Sequence, residues 1–313
     1  MESTPIDLAE LTLPPGVDRT AGVAYMDGEL MPVGAARLPI LDWGLTRSDA
    51  TYDVVHVWKG AFFRLDDHLD RFLSSCGGLR LDPKLGREDI RSVLMACVRA
   101  SGLRDAYVEM ACTRGVPPPG VRDPSDCDNR FFAFAIPFVW VLSEARQDAG
   151  AKLHISDVPR IGASSVDPTI KNFHWGDLTR GLFQAMDLGA DTAVLVDAAG
   201  FLTEGPGFNA FAVKGGRVTT PGAGVLEGIT RASVRELCEA ESIEFSMAAI
   251  TPGQLLAADE VFISSTAGGI MPVSYVNNRV LGMGRPGPLS RRLRELYWQR
   301  HEEGWHATSV DYG

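Results

Sequence analysis

Hydrophobic and polar positions near the start of the chain come in short runs. In VAYMDGELMPV (23–33) two apolar runs flank Asp27-Gly28, a pair suited to the positive backbone angles of a tight hairpin turn. VVHVWKGAFFRL (54–65) repeats the arrangement with Lys59-Gly60 at the turn. The period then lengthens. After Asp66 and Asp67, apolar residues recur at Leu69, Phe72, Leu73 and Cys76, which predicts a helix stopped by Gly77-Gly78. Ile90, Val93, Leu94, Cys97 and Val98 predict a second helix over Arg87 to Ser101, closed by Gly102. Tyr107 to Thr113 and Phe131 to Trp140 read as strands separated by a Pro-rich loop, Val116 to Asp128.

The polar stretch Ser143 to Gly150 (SEARQDAG) reads as an interdomain linker. Beyond it short strands (Ala193 to Val196, Ala210 to Val213, Val261 to Ser264) alternate with helical patterns at Gly176 to Met186 and Arg231 to Glu241. No internal repeat or low-complexity segment is present. The expected organisation is a smaller N-terminal α+β domain over 1–142, a linker over 143–150, and a larger C-terminal α/β domain over 151–313 that carries Lys171.

Composition narrows the function classes. The 313 residues are 45% hydrophobic and 22% charged, ordinary for a soluble globular protein. A formal charge of −10 excludes a broad basic footprint for nucleic acid or an anionic membrane surface, although not a single phosphate pocket. Five scattered cysteines (Cys76, Cys97, Cys112, Cys127, Cys238) form no CxxC pair, which argues against a disulfide framework or metal cluster. The acidic N-terminus, MESTPIDLAELTLPPG, lacks a secretory pattern. The longest apolar stretch, Phe131 to Leu142, contains Pro137 and is short of the roughly 20 residues that span a bilayer. A soluble, cytoplasmic chain with no metal is expected.

Three segments carry the chemistry. Lys171 lies in SVDPTIKNFHWGD, just before a helical pattern; alone, such a lysine is usually a solvated loop residue. About thirty residues later, Glu204 precedes the Gly-Pro-Gly turn of EGPGFNAF. LEGITRASVRELCEA places Gly228-Ile229-Thr230 at the start of a helix, where unpaired N–H groups and the helix dipole suit a phosphate, although Thr230 serves equally as an ordinary N-cap. Together they are what a pyridoxal phosphate site requires: an amine for a Schiff base, a carboxylate against the pyridine nitrogen, and an anion hole.

RLDDHLDR, the Lys171 segment, EGPGFN, LEGITR and ISSTAGG occur in the order and at the spacing of fold-type IV aminotransferases, which the chain resembles over nearly its whole length. The resemblance implies the D-amino acid aminotransferase-like fold, pyridoxal 5′-phosphate as cofactor, and a homodimer. It makes Lys171 the catalytic residue and covalent anchor, sets Glu204 against the pyridine nitrogen, and packs Leu226 under the ring. Arg71, Ile229, Thr230 and Thr266 receive the phosphate. SDATYDVVHVW, YVEMACTRG and KNFHWGDLTRG look most like (R)-selective amine transaminases. Branched-chain enzymes typically carry tyrosine five residues after the lysine, whereas this chain has Gly176 there and Trp175 before it.

By the same resemblance Tyr52, Tyr107, Glu109 and Trp175 shape the side-chain pockets, with core packing as the competing reading, and Thr266 and Ala267 wall the smaller one. Arg122, on the Pro-rich loop, is either the arginine that swings in to pair with a keto-acid carboxylate or a solvated residue. Arg47, where the subgroup more usually has histidine, would add positive charge at the pocket mouth if it faces it. His56 is either a polar pocket neighbour or solvent-facing. The implied reaction moves an amino group from a primary amine, (R)-configured, to a keto acid such as pyruvate by a ping-pong route. The alternatives are a D-amino acid or branched-chain aminotransferase, an aminodeoxychorismate lyase of the same fold, or a non-catalytic binder of the cofactor.

Overall fold

A computed structural model describes residues 11–14 and 16–313, and the N-terminal segment on which the absence of a secretory pattern was argued lies mostly outside them. The chain forms two compact units. The first takes in the described part of Met1–Val139 together with Ile170–Phe173 and Trp305–Gly313; the second is Trp140–Thr169 with His174–Gly304. Lys171, expected in the C-terminal domain, thus belongs to the first unit, because Thr51 and Ser75 of that unit bind its backbone.

In the first unit β1 (Val23–Met26) and β2 (Glu29–Pro32) form the expected hairpin, with Asp27 and Gly28 at φ 52° and 91°. Helix α1 (Trp43–Arg47) leads into β3 (Ala50–Trp58), which turns through Lys59 and Gly60, both at positive φ, into β4 (Ala61–Phe63). Helices α2 (Leu65–Gly78) and α3 (Arg87–Ser101) follow, then the long antiparallel pair β5 (Ala106–Val116) and β6 (Asp128–Pro137). With the C-terminal strand Ala307–Ser309 they make a seven-stranded antiparallel sheet, in the order C-terminal strand, β4, β3, β5, β6, β1, β2. Leu69, Phe72, Ile90, Val93 and Leu94 of the helices pack with Val55, Val57, Val108 and Met110 of the sheet into one apolar core.

Strand β6 begins and ends three residues earlier than its hydrophobicity suggests. Pro137 has no N–H to continue the ladder. At the other end, polar Asp128 to Arg130 are drawn in by pairing with Thr113 to Val116 across a bulge.

The second unit opens with α4 (Glu144–Ala149), so the stretch expected as a linker is mostly helical. The buried Gln147 side chain donates to the Leu142 carbonyl and ties this turn down. Then come β7 (Ala151–Pro159), α5 (Gly176–Asp187), β8 (Thr192–Val196), β9 (Glu204–Gly205), β10 (Phe208–Lys214) and β11 (Arg217–Pro221). Next are α6 (Ile229–Ala240), β12 (Phe245–Ala248), α7 (Pro252–Leu256), β13 (Glu260–Ser265), β14 (Gly269–Val276), β15 (Arg279–Val280) and α8 (Pro288–Glu302). The nine-stranded sheet runs β12-β11-β10-β13-β14-β7-β8, with β9 on β10 and β15 on β14. It is mixed: β11–β12, β14–β7 and β7–β8 are parallel. Among the described residues no helix is long and apolar enough to cross a membrane.

The β5–β6 bulge turns on Gly115, at φ +78°, where an added Cβ would stand 1.7 Å from the Asp128 carbonyl oxygen. Gly28 has a similar φ of +91° but open space around it. Gly28→Ala should therefore cost about 1 kcal/mol, from backbone strain alone. Gly115→Ala should cost roughly 3 kcal/mol, because the sheet backbone must also move. Urea unfolding of both variants measures the difference; equal costs would exclude the steric part.

Candidate active site

Strand β3 sends neighbouring residues to opposite faces of its sheet. Asp53, Val55 and Val57 face α2 and α3, opposite Met110, Val108 and Ala106 of β5. Tyr52, Val54 and His56 take the other face, opposite Ala111, Glu109 and Tyr107.

On the helix side Asp53 is 0% exposed. Its Oδ2 accepts from Arg71 Nε at 2.7 Å, and its Oδ1 from Arg71 Nη2 and from His68 Nδ1, each at 2.8 Å. Burial alone would raise the Asp53 pKa, but the Arg71 charge and these hydrogen bonds hold it well below the usual carboxylate range. Burial pushes the His68 pKa down, against the pull of Asp53, which favours the neutral ring.

Lys171 reaches the same region with its backbone fixed on both sides. Its carbonyl accepts from Thr51 Oγ1 at 2.5 Å and its N–H donates to Ser75 Oγ at 3.2 Å. Asn172 bridges to Thr51 in antiparallel fashion. The Lys171 Nζ lies 4.2 Å from the centroid of the Tyr52 ring, which stacks on Phe173 at 4.5 Å. A solvated loop lysine would have none of this. On the same face Tyr107 donates to Glu109 Oε2 at 3.1 Å. Burial pushes the Glu109 carboxyl up to about 7, opposed by that hydrogen bond and by the charge of Lys171. His56 is buried, stacked 5.5 Å from Phe63, which settles the alternative of a solvent-facing ring.

In the second unit Glu204 is 8% exposed, on a two-residue strand whose Gly205 leaves no room for a Cβ beside Phe208 and the Ala193 carbonyl. Glu204 Oε2 accepts the Leu226 N–H at 3.0 Å and Oε1 accepts Arg160 Nη2 at 3.0 Å. Arg160 also donates to Asp177 Oδ2 at 2.7 Å, while Asp177 accepts the N–H groups of Ile161 and Leu178. Burial would raise the Asp177 pKa, yet the Ile161 N–H and Arg160 hold it below its ordinary value. The Arg160 pKa is raised: burial opposes the charge, but Glu204 and Asp177 outweigh it.

Asn209 donates to the Leu226 carbonyl at 3.0 Å, and its Oδ1 would lie 1.9 Å from any Cβ on Gly228. That contact fixes the turn into α6. Gly228 is the N-cap residue and no side chain caps the helix, so the reading of Thr230 as an N-cap is overturned; Thr230 sits buried at the second helical position. An uncapped helix start with Ile229 and Thr230 buried fits a phosphate, and a doubly held carboxylate fits a pyridinium N–H. Thr266 follows β13, where the Ala267 carbonyl accepts the Val141 N–H at 2.7 Å and Gly269 turns at φ +65°. Trp175 stands at the N-terminus of α5 with its ring edge near Gly207.

The two arginines considered for carboxylate binding are exposed. Arg47 lies with its guanidinium carbon 3.3 Å from the centroid of Trp43, and Arg122 lies between β5 and β6. Among the described residues no acidic, histidine or cysteine cluster could hold a metal. Sequence reasoning passed over Asp53, His68, Arg160, Asp177 and Asn209. Asp53 had a signal: it is the one carboxylate in a strand, ATYDVVHVW, that is mostly apolar or aromatic.

The model of the amino-transferase class IV family matches residues 50–276. The chain belongs to that family. It is 33% identical over 276 residues, covering 87% of this chain and 94% of the relative, to a Methanocaldococcus jannaschii protein provisionally named a branched-chain-amino-acid aminotransferase. It is 27% identical to the D-alanine aminotransferase of Bacillus licheniformis, over 86% of this chain and 93% of that one. It also spans about half the length of two Arabidopsis thaliana relatives. The crystal structure of the T.th. branched-chain amino acid aminotransferase with pyridoxamine 5′-phosphate superposes with a TM-score of 0.87 at 29% identity, covering 94% of this chain and all of that one. The expected fold-type IV architecture and aminotransferase activity are thereby borne out.

For this aminotransferase the raised Glu109 pKa has a consequence for stability. The protonated carboxyl is favoured in the folded chain, so its contribution is fully present below pH 4.5 and is lost as pH rises through about 7. Glu109→Gln should match the wild type near pH 4.5 and exceed its unfolding free energy by roughly 1–3 kcal/mol at pH 8. Denaturant unfolding at the two pH values checks this; a difference independent of pH would exclude a titrating Glu109.

Proposed function

We propose that this aminotransferase uses pyridoxal phosphate anchored on Lys171 to move an amino group from a primary amine, (R)-configured, to a keto acid such as pyruvate. The observation that carries the cofactor assignment is the fixed Lys171, its backbone tied to Thr51 and Ser75 and its amine over Tyr52. Support for an amine without a carboxylate comes from the same face. A half-buried carboxyl with a raised pKa, Glu109, shares it with Lys171, while Arg47 and Arg122 are exposed.

When bound, the cofactor supplies an aldehyde carbon that exchanges amines and a ring that takes up the electron pair left at the substrate carbon. The residues do the rest. Lys171, displaced by the incoming amine, takes the proton from the substrate carbon and returns one on the cofactor side as general base and acid. Tyr52 and Phe173 limit the directions its side chain samples. Arg160 and the Leu226 N–H hold the Glu204 carboxylate, which would face the ring nitrogen and keep it protonated. Arg71, the α6 start at Ile229 and Thr230, and Thr266 would hold the phosphate, and Leu226 would pack against the ring. Tyr107, Trp175 and Ala267 shape the substrate side chain's surroundings. A cytoplasmic homodimer completes this reading.

The names of the relatives favour a second reading, a branched-chain or D-amino acid aminotransferase. The visible spectrum of the purified protein separates them. We expect a yellow band that (R)-1-phenylethylamine bleaches and pyruvate restores. Bleaching by D-alanine or L-leucine alone would move the substrate to D-amino acids or branched-chain amino acids. Absence of any band after incubation with pyridoxal phosphate would overturn the cofactor assignment. Lys171→Ala should lose the band and at least about 1,000-fold in turnover.

A further inference from the structure

Resting on the reading that Arg71 receives the cofactor phosphate, we propose that Asp53 and His68 are positioning residues for that arginine. They lock its guanidinium in one orientation and so set the preference for a phosphorylated cofactor over the same ring without phosphate.

The geometry is that of a built bracket. Arg71 and His68 lie three residues apart on α2 and therefore on one helix face, aimed at the face of β3 that carries Asp53. Two parallel bonds, Nε to Oδ2 and Nη2 to Oδ1, make the planes of guanidinium and carboxylate coincide. An arginine left to itself samples many rotamers; one paired in this way keeps a single orientation. Three of its five N–H bonds lie outside the pair with Asp53.

The carboxylate is itself prevented from turning. Besides Arg71, Oδ1 accepts the Val54 N–H at 2.7 Å and His68 Nδ1 at 2.8 Å. An ionised carboxylate only accepts, so the His68 proton sits on Nδ1 and the neutral ring acts as donor. Asp53 is fully buried and His68 1% exposed, so water does not compete for these bonds.

Charge and geometry predict opposite results here, which makes the proposal testable. Asp53 is a negative charge close to where a dianionic phosphate would bind. By Coulomb's law alone, Asp53→Asn should tighten binding of the phosphorylated cofactor. If Asp53 acts by orienting Arg71, the same change should weaken it.

The test titrates cofactor-free protein, prepared from the holoenzyme, with pyridoxal phosphate and separately with pyridoxal, following the visible band. The readout is the ratio of the two dissociation constants, which a general loss of structure would not move. We expect Asp53→Asn to lower the preference for the phosphorylated form by about 10-fold, and His68→Leu by about 3-fold, with pyridoxal binding nearly unchanged. An unchanged or increased preference in Asp53→Asn overturns the proposal, as does parallel weakening of both ligands. If circular dichroism shows that Asp53→Asn does not fold, His68→Leu, which keeps the Asp53–Arg71 pair, decides by the same criteria. A wild type with no preference between the two ligands overturns the assignment of Arg71 to the phosphate, and the proposal with it.

Discussion

Removing an ionised carboxylate from water costs more than any single hydrogen bond returns, so a buried aspartate survives only where several charged and polar donors converge on it. Asp53 meets that condition in the middle of the first unit's sheet. The donors come from α2, through His68 and Arg71, and from the strand itself, through the Val54 N–H. The register of helix against sheet is thereby fixed: slipping α2 by one residue would leave a buried charge with only the Val54 N–H as partner. The apolar contacts of Leu69 and Phe72 hold the helix down, but they would tolerate small shifts that the ionic contacts do not.

That constraint reaches Lys171 through neighbouring atoms. Thr51, two residues before Asp53 on the same strand, takes the Lys171 carbonyl, and Ser75, four residues after Arg71 on the same helix, takes its N–H. The lysine segment is thus docked on the two elements that Asp53 ties together. Alternation along β3 then puts Tyr52 beneath the lysine amine, with Tyr107 and Glu109 on the neighbouring strand. The second unit solves a similar problem with an acid–base–acid chain. Asp177, Arg160 and Glu204 share two hydrogen-bonded ion pairs, and the Leu226 N–H fixes the remaining Glu204 oxygen. In both units a functional group is held by a partner of opposite charge that is itself held by backbone or side-chain bonds.

Much of this was open to sequence reasoning where the signal is local. Asp27-Gly28 and Lys59-Gly60 fixed two hairpins because few residue pairs adopt their backbone angles, and the periodicity of Ile90, Val93, Leu94 and Cys97 located α3 with its boundaries. Lys171, Glu204 and Gly228-Ile229-Thr230 stood out because their surroundings match a family pattern, and the match of the class IV model over 50–276 bears out that family. Strand β6 was displaced because its first residues are polar and enter the sheet only by pairing with β5. The helix over Glu144–Ala149 was hidden for a related reason: a polar turn gives no apolar period, and it is held by the buried side chain of Gln147.

What the sequence determined by itself is therefore the set of local elements, the family, and which residue types are available for chemistry. Those follow from backbone preference and from the spacing of side chains along a few turns or strands. Only the tertiary structure decided that Ile170–Phe173 joins the first unit, that Asp53 pairs with Arg71 and His68, and that Arg160 holds Glu204. Each of these joins residues with no periodic relation in the chain. Their partners are chosen by burial, because a charge taken out of water must be met by whatever donor the fold brings to it.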